Sequence, residues 1–150
     1  MADHSIVAVF GSMNMDLSVA CERMPRAGET VGGSGFITNA GGKGANQALQ
    51  CARLGAEVTM VGCVGDDLFG RQLLEPLQNA GVDTAHVIVR SDCHSGVGHV
   101  TLAVSGHTAQ NRIIVIPGAN LTLKASEVSW LREQIAEYDL VLLQLEIPLE

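Results

Sequence analysis

Short apolar runs rich in β-branched residues alternate with helical patterns along the chain. The runs Ile6–Phe10, Val58–Val64 and Leu140–Leu145 are nearly continuous, which is typical of strands buried on both faces of a parallel sheet. Apolar residues at helical spacing predict three helices between these runs, over about Gly44–Leu54, Asp67–Ala80 and Lys124–Glu137. The alternation predicts an α/β fold, in which a mostly parallel sheet of the Rossmann type is flanked by helices.

A second set of strands is predicted between these elements. Four stretches with strand-like patterns are joined by polar turns: Leu17–Ala20, Glu29–Ile37, Val97–Val104 and Arg112–Ile116. We expect them to form a small antiparallel β lid, with strands near residues 17–37 and 97–116. Too few strands precede Leu140–Leu145 to surround it with neighbours. We therefore interpret residues 1–150 as the N-terminal part of one domain, with the fold incomplete at the C-terminus.

The composition argues against several classes of function. The formal net charge is −7 and Lys and Arg form no cluster, which disfavours a nucleic-acid partner. No segment approaches the roughly 18 to 20 apolar residues of a membrane-spanning helix, so we expect no membrane partner. The four cysteines are scattered without a CxxC pair. This spacing favours reduced thiols in a cytoplasmic protein, and it leaves metal or disulfide use open.

The segment from Gly41 to Ala48 combines two glycines and a lysine at the start of a predicted helix. Glycine lets the backbone approach a ligand closely, and the first turn of a helix offers unpaired N–H groups and partial positive charge. Lys43 adds a full charge, and Asn46 follows one turn later on the same face. The pattern predicts a site for a hydroxyl-bearing or anionic small molecule. An ordinary glycine-rich turn that caps the helix is the alternative.

Neither of the common nucleotide motifs fits the chain. A P-loop needs Ser or Thr after its lysine, whereas Gly44 follows Lys43, and Ile37 occupies the position of the first glycine. The dinucleotide fingerprint also fails, because no further glycines follow Gly11 at the required spacing. An NAD protein of the Rossmann type is therefore a weak alternative.

Three polar residues follow the ends of predicted strands. Asn14 and Asp16 come after the first apolar run, and Glu146 comes after the last. Ligands of open α/β sheets bind outside the carboxyl ends of the strands, and a carboxylate there can accept hydrogen bonds from a vicinal diol. Backbone-satisfying turns, or a helix start for Glu146, are the alternatives. No spacing points to a nucleophile, a general base or a set of metal ligands. The candidate binding residues, which suit a sugar better than a planar base because aromatics are scarce, are Asn14, Asp16, Gly42, Lys43, Asn46 and Glu146.

The chain resembles the ribokinase family of carbohydrate kinases over essentially its whole length. The segments that carry the resemblance, in order, are Gly11–Asp16, Pro25–Thr30, Gly41–Ala48, Val64–Asp67, Ser95–Val97, Pro117–Asn120 and Gln144–Glu146. The double-glycine segment is typical of the whole superfamily. The Pro-Gly-Ala-Asn and Gln-Leu-Glu segments favour ribokinases in particular.

The resemblance implies a ribokinase-like fold that transfers a phosphoryl group from ATP to the primary hydroxyl of D-ribose. It implies Mg²⁺ and a monovalent cation as candidate cofactors, contact of the six candidate residues with the sugar, and a homodimer formed through the β lid. The second signature of the family, Asp-Thr-x-Gly-Ala-Gly-Asp, does not occur in these residues. It carries the aspartate base and the anion hole. We therefore expect the catalytic, nucleotide and cation sites to lie elsewhere and residues 1–150 alone to be inactive.

Two alternatives stay open at this point. The sugar could be another pentose or a ketohexose, and the substrate could also be a nucleoside. The chain could instead be a non-catalytic sugar-binding or oligomerisation module that lacks the nucleotide half. A stable, monodisperse product would favour the module, whereas aggregation would favour part of a larger enzyme, since an unfinished sheet exposes an apolar edge.

Overall fold

The strands form two four-stranded sheets, seen in a computed structural model that describes residues 4–105 and 108–148. In chain order the strands are β1 (Ile6–Phe10), β2 (Asn14–Cys21), β3 (Gly33–Gly41), β4 (Glu57–Gly65), β5 (Val87–Arg90), β6 (Gly96–Ser105), β7 (Thr108–Ile116) and β8 (Leu140–Leu143). The α-helices are α1 (Lys43–Arg53), α2 (Leu68–Asn79) and the short α3 (Leu131–Gln134). The predicted α/β fold, with a parallel sheet flanked by helices and a separate second sheet, is confirmed, but the second sheet is not the smaller one, since it too has four strands.

The main sheet has the strand order β5–β4–β1–β8, and each of its neighbouring pairs is parallel. Alternate side chains of β1 point to opposite faces of this sheet. Val7 and Val9 pack in the cluster that includes α1 and α2, whereas Ala8 and Phe10 pack against residues 128–141 on the other face. Both faces of β1 are therefore covered, which explains why its sequence is continuously apolar.

The second sheet has the strand order β3–β2–β6–β7 and is mixed, which corrects the purely antiparallel sheet predicted above. Its outer pairs are antiparallel, but its central pair, β2 with β6, is parallel. In this pair Asn14 lies opposite Gly96, and Asp16 lies opposite Gly98. Both strands start beside the ends of main-sheet strands: β2 shortly after β1, and β6 directly after Ser95, which bonds to Gly65 at the end of β4.

Ser95 fixes the start of β6 against the main sheet. Its hydroxyl accepts a hydrogen bond of 2.9 Å from the Gly65 N–H at the end of β4. Its own N–H and hydroxyl donate to the carboxylate of Asp67, each at 2.8 Å. Asp67 is also the N-cap of α2, where it accepts from the Gly70 N–H at 2.7 Å. One buried serine thus joins β4, α2 and the second sheet.

The prediction of one helix over Lys124–Glu137 is wrong. The segment divides into shorter pieces: a 3₁₀ helix at Ala125–Val128, then α3, then a 3₁₀ helix at Ile135–Glu137. Side chains compete here with a continuous helix. The Ser129 hydroxyl donates to the Ser126 carbonyl at 2.9 Å, and the Glu127 carboxylate is paired with Arg90 of β5 at 2.7 Å.

The first turn of α1 is in backbone contact with the connection between β1 and β2. Gly42 precedes the helix with a φ of +96°, in the left-handed region that favours glycine. A Cβ added at Gly42 would lie 2.6 Å from the Ser12 carbonyl oxygen, and one added at Gly44 would lie 2.5 Å from the Gly11 carbonyl carbon. The Ala45 N–H donates to the same Ser12 carbonyl at 3.1 Å. The helix can start this close to the connection only because both positions are glycine.

We expect Gly44→Ala to lower the free energy of unfolding by about 1–3 kcal/mol, the usual cost of forcing extra atoms into a packed site. Alanine raises helix propensity by roughly 1 kcal/mol, but the clash with Gly11 outweighs that gain. Urea unfolding followed by circular dichroism measures the change. Gly32→Ala is the control, because a Cβ added at Gly32 meets no heavy atom within 4 Å and should not lower stability. Equal stability of the two variants would contradict the close contact.

Candidate functional site

The carboxylate of Glu146 lies just beyond β8, between α1 and the connection from β1 to β2. Its Oε1 forms an ion pair with Lys43, and its Oε2 accepts a hydrogen bond of 2.7 Å from the Ser12 hydroxyl. Burial raises the pKa of Glu146, but the hydrogen bonds from Lys43 and Ser12 and the charge of Lys43 outweigh it and hold that pKa below its usual value. Glu146 is therefore ionised at neutral pH.

Gln144 holds the chain in place around Glu146. Its side-chain oxygen accepts from the Glu146 N–H at 3.1 Å and lies 3.2 Å from the Ser12 hydroxyl. Its backbone N–H donates to the Phe10 carbonyl at 2.9 Å. The single hydroxyl proton of Ser12 therefore has two acceptors, and the shorter distance is to Glu146. These bonds connect the end of β8 to the end of β1.

Asp16 lies in β2 and occupies the space left by two glycines. A Cβ added at Gly98 of β6 would lie 2.3 Å from its Oδ1, and one added at Gly41 of β3 would lie 2.9 Å from its Oδ2. Burial, and then the negative charge of Glu146, raises the pKa of Asp16 above its usual value. Among residues 4–105 and 108–148, no ion pair compensates the charge of Asp16. Within those ranges Asp16 is an acceptor without a charged partner.

Asn14 and Glu146 share a small cleft of about 170 Å³. The residues that line it are Asn14, Val115, Pro117, Asn120, Leu121 and Glu146. Val115 pairs with Gly98, which in turn pairs with Asp16, so Val115 and Asp16 lie on the same face of the second sheet. The cleft has an apolar wall along β7 and polar groups at its other side. This arrangement can hold a small molecule that has both a carbon face and several hydroxyls.

The structure brings most of the predicted binding residues to one place, where β2, the start of α1 and the end of β8 meet. These residues are Asn14, Asp16, Gly42, Lys43 and Glu146. Asn46 is exposed on the first turn of α1, and in the described part of the chain its side chain makes no hydrogen bond to the other five. Of the N–H groups in the first turn of α1, that of Ala45 donates to the Ser12 carbonyl and is not unpaired. That all six residues bind a ligand stays a prediction.

Ser12 and Asn120 are members of the site that the sequence did not single out. Both are buried, and Asn120 bonds to Met13 and Asn14. Each lies in a segment that carries the family resemblance, which is the one available signal. Since 107 residues separate Asn120 from Met13, only the tertiary structure shows their contact.

Other kinds of site find less support in the structure. In the described ranges, no group of three or more His, Cys, Asp or Glu side chains is arranged to hold a metal ion. Each of the four cysteines is a free thiol. Of the helices in residues 4–105 and 108–148, none is long and apolar enough to cross a membrane. The candidate site therefore offers hydrogen-bonding and charged side chains and not a set of metal ligands.

Comparison with known proteins gives consistent matches along the chain. The sequence profile described as pfkB family carbohydrate kinase matches residues 5–147. The ribokinase of Bacillus subtilis (strain 168) is 45% identical over 144 residues, which cover 96% of this chain and 48% of that protein. The ribokinase of Schizosaccharomyces pombe is 40% identical over 150 residues, which cover 96% of this chain and 46% of that protein. The chain thus spans about half the length of the curated relatives it matches.

A solved structure agrees with these sequence matches. The structure of Arabidopsis thaliana ribokinase complexed with ribose and ATP matches with a TM-score of 0.82 and 35% identity. The match covers 97% of this chain and 46% of that chain. The resemblance inferred from the motif segments is confirmed.

We expect Asp16→Asn to raise the free energy of unfolding at neutral pH, because it removes a charge that burial and Glu146 disfavour. The gain should be at most about 1 kcal/mol, since solvent screens a partly exposed carboxylate. The raised pKa means that folded Asp16 holds its proton more tightly than the unfolded chain does. Wild-type stability therefore falls as the pH rises through the folded-state pKa. The gain of the variant should vanish well below the ordinary pKa of 3.8, where the carboxyl group is protonated in both states.

Urea unfolding of the wild type and of Asp16→Asn, at neutral pH and at a pH well below 3.8, measures this difference in the free energy of unfolding. Asp92→Asn is the matched control, because Asp92 is an exposed carboxylate and its replacement should leave stability unchanged at both pH values. A gain for Asp16→Asn of the same size at low and neutral pH would contradict the electrostatic explanation.

Proposed function

Because the chain belongs to the pfkB family of carbohydrate kinases, we propose that it supplies the sugar-binding half of an enzyme that phosphorylates D-ribose at its primary hydroxyl. The ribokinases that match 96% of the chain support this choice of sugar. The observation that carries the proposal is the meeting of Asp16, Lys43 and Glu146 beside the small cleft at Asn14.

The groups around the cleft suit a small polyhydroxy compound. The carboxylate of Asp16 only accepts hydrogen bonds, so it can take them from two neighbouring hydroxyls of a sugar. The ammonium group of Lys43 has three N–H donors, and its bond to Glu146 leaves donors for hydroxyl oxygens. Val115 and Leu121 provide an apolar wall for the carbon face of the ring. Because the charge of Asp16 has no ion-pair partner within residues 4–105 and 108–148, we expect it to contribute most to affinity.

We assign ATP, Mg²⁺ and a monovalent cation to residues other than these. Within the described ranges no group of side chains fits a metal ion. At the start of α1 the Ala45 N–H is bonded to the Ser12 carbonyl. We derive no step of phosphoryl transfer from this part of the chain, and we propose that it is inactive alone. The free thiols are consistent with a cytoplasmic location.

We further propose that the second sheet acts as a lid over the sugar and joins two copies of the chain. Ile113 and Ile114 of β7 are adjacent, so they point to opposite faces of the sheet, yet they are 53% and 64% exposed. Phe36 on the opposite edge strand, β3, is 66% exposed. Exposed apolar groups of this extent typically mark an interaction surface. By register Ile114 and Phe36 lie on the same face, so a second copy that packs on this face would cover both through a symmetric contact.

We expect D-ribose to bind the wild-type chain in calorimetry, and Asp16→Ala to weaken binding at least about tenfold through the loss of charge-assisted hydrogen bonds. Asp92→Ala, which removes an exposed carboxylate outside the cleft, should bind like the wild type. An assay of ATP turnover on the same samples should show none. Unchanged affinity of a folded Asp16→Ala protein would overturn the site. Preferred binding of fructose or of a nucleoside would overturn the choice of ribose.

We expect Ile114→Glu to convert the dimer into a monomer, because each symmetric contact would bury two unpaired carboxylates. Size-exclusion chromatography with light scattering measures the oligomeric state over a range of concentrations. Gln110→Glu is the control on the same exposed strand, and it should leave the dimer intact. A wild-type chain that stays monomeric at every concentration would refute the dimer.

A further inference from the structure

Asn120 lies beneath Asn14, where the 3₁₀ helix Gly118–Thr122 meets the connection from β1 to β2. Its side chain is 1% exposed. Its Oδ1 accepts a hydrogen bond of 2.9 Å from the Met13 N–H. Its Nδ2 lies 3.0 Å from the Met13 carbonyl, 2.9 Å from the Pro117 carbonyl and 2.8 Å from Oδ1 of Asn14. Asn120 is therefore held by the backbone on one side and bonded to a candidate binding residue on the other.

Backbone groups determine which way the amide of Asn120 points. The N–H of Met13 can only donate and its carbonyl can only accept, so Oδ1 of Asn120 faces the N–H and Nδ2 faces the carbonyl. The same Nδ2 has two protons for three acceptors, and the shortest of its distances is the one to Oδ1 of Asn14. This contact in turn determines the orientation of the Asn14 side-chain amide. The oxygen of Asn14 is used inside the protein, and its Nδ2 points away from Asn120.

We propose that Asn120 is a positioning residue that makes Asn14 present N–H donors to a sugar hydroxyl in the cleft. The inference rests on the proposed function, because it concerns the same cleft. It gives the two residues of β2 complementary parts: Asp16 accepts from hydroxyls, and Asn14 donates to a hydroxyl oxygen. A ligand that fits must therefore offer one hydroxyl as a donor and another as an acceptor.

Gly96 of β6 provides the space that this pair of amides needs. A Cβ added at Gly96 would lie 2.0 Å from Oδ1 of Asn14 and 2.3 Å from Nδ2 of Asn120. Gly96 is also the register partner of Asn14 in the parallel pair of strands. The direction of β6 thus brings a residue without a side chain to the one position where the two amides meet.

A double-mutant cycle on D-ribose binding tests the inference with wild type, Asn14→Ala, Asn120→Ala and the double variant. If Asn120 acts through Asn14, Asn120→Ala should weaken binding about tenfold in the wild-type background and less than about twofold in the Asn14→Ala background. A merely structural contribution would weaken binding equally in both backgrounds. Equal losses would overturn the inference.

Hydrogen exchange of the side-chain amides in the wild-type chain provides a second test that needs no variant to fold. Measured by NMR without sugar, the Nδ2 protons of Asn120 should exchange slowly, because they are bonded inside the protein. Those of Asn14 should exchange at least about tenfold faster, because they face the cleft. Slow exchange at Asn14 would mean that its oxygen faces the cleft, and it would overturn the inference.

The two tests separate the inference from the proposed function. If a folded wild-type chain does not bind D-ribose but shows the expected exchange pattern, the sugar assignment fails and the orientation of Asn14 stands. If D-ribose binds and either the cycle or the exchange pattern contradicts expectation, the part assigned to Asn120 fails and the proposed function stands.

Discussion

The close backbone contact between α1 and the connection from β1 to β2 is the constraint on which the candidate site depends. Gly42 and Gly44 have no side chains to separate the helix from residues 11–13, so the first turn lies directly against the end of β1. Lys43 stands between these two glycines, and this places its ammonium group within reach of Glu146. A larger residue at either glycine would displace the helix and carry Lys43 away with it. The glycines, which the sequence predicts to approach a ligand, also bring two parts of the protein together.

The protein shifts the pKa values of the two carboxylates of the site in opposite directions. Burial raises the pKa of both, but Lys43 and Ser12 reverse the effect at Glu146, whereas the charge of Glu146 adds to it at Asp16. Glu146 is thus stabilised by the protein, and Asp16 remains a charged acceptor at some cost to stability. Such an uncompensated group is typical of a binding position, where a ligand supplies the missing hydrogen bonds.

Local sequence patterns were reliable where burial alone decides the structure. The continuously apolar run Ile6–Phe10 predicted β1, because burial on both faces selects an apolar side chain at every position. The same reasoning failed for Lys124–Glu137. There Arg90, a residue of a distant strand, holds Glu127, and the Ser129 hydroxyl bonds to a nearby carbonyl, so the helical pattern did not become one helix.

By itself the sequence determined the alternation of strands and helices, the family, and the residue types available for binding, because periodicity and motifs are properties of neighbouring residues. Only the tertiary structure decided that β6 runs parallel to β2, that Lys43 meets Glu146 across 103 residues, and that Asn120 orients Asn14. Hydrogen bonds and ion pairs act over a few ångströms. Whether two distant residues come that close depends on how the whole chain packs, and no local pattern encodes it.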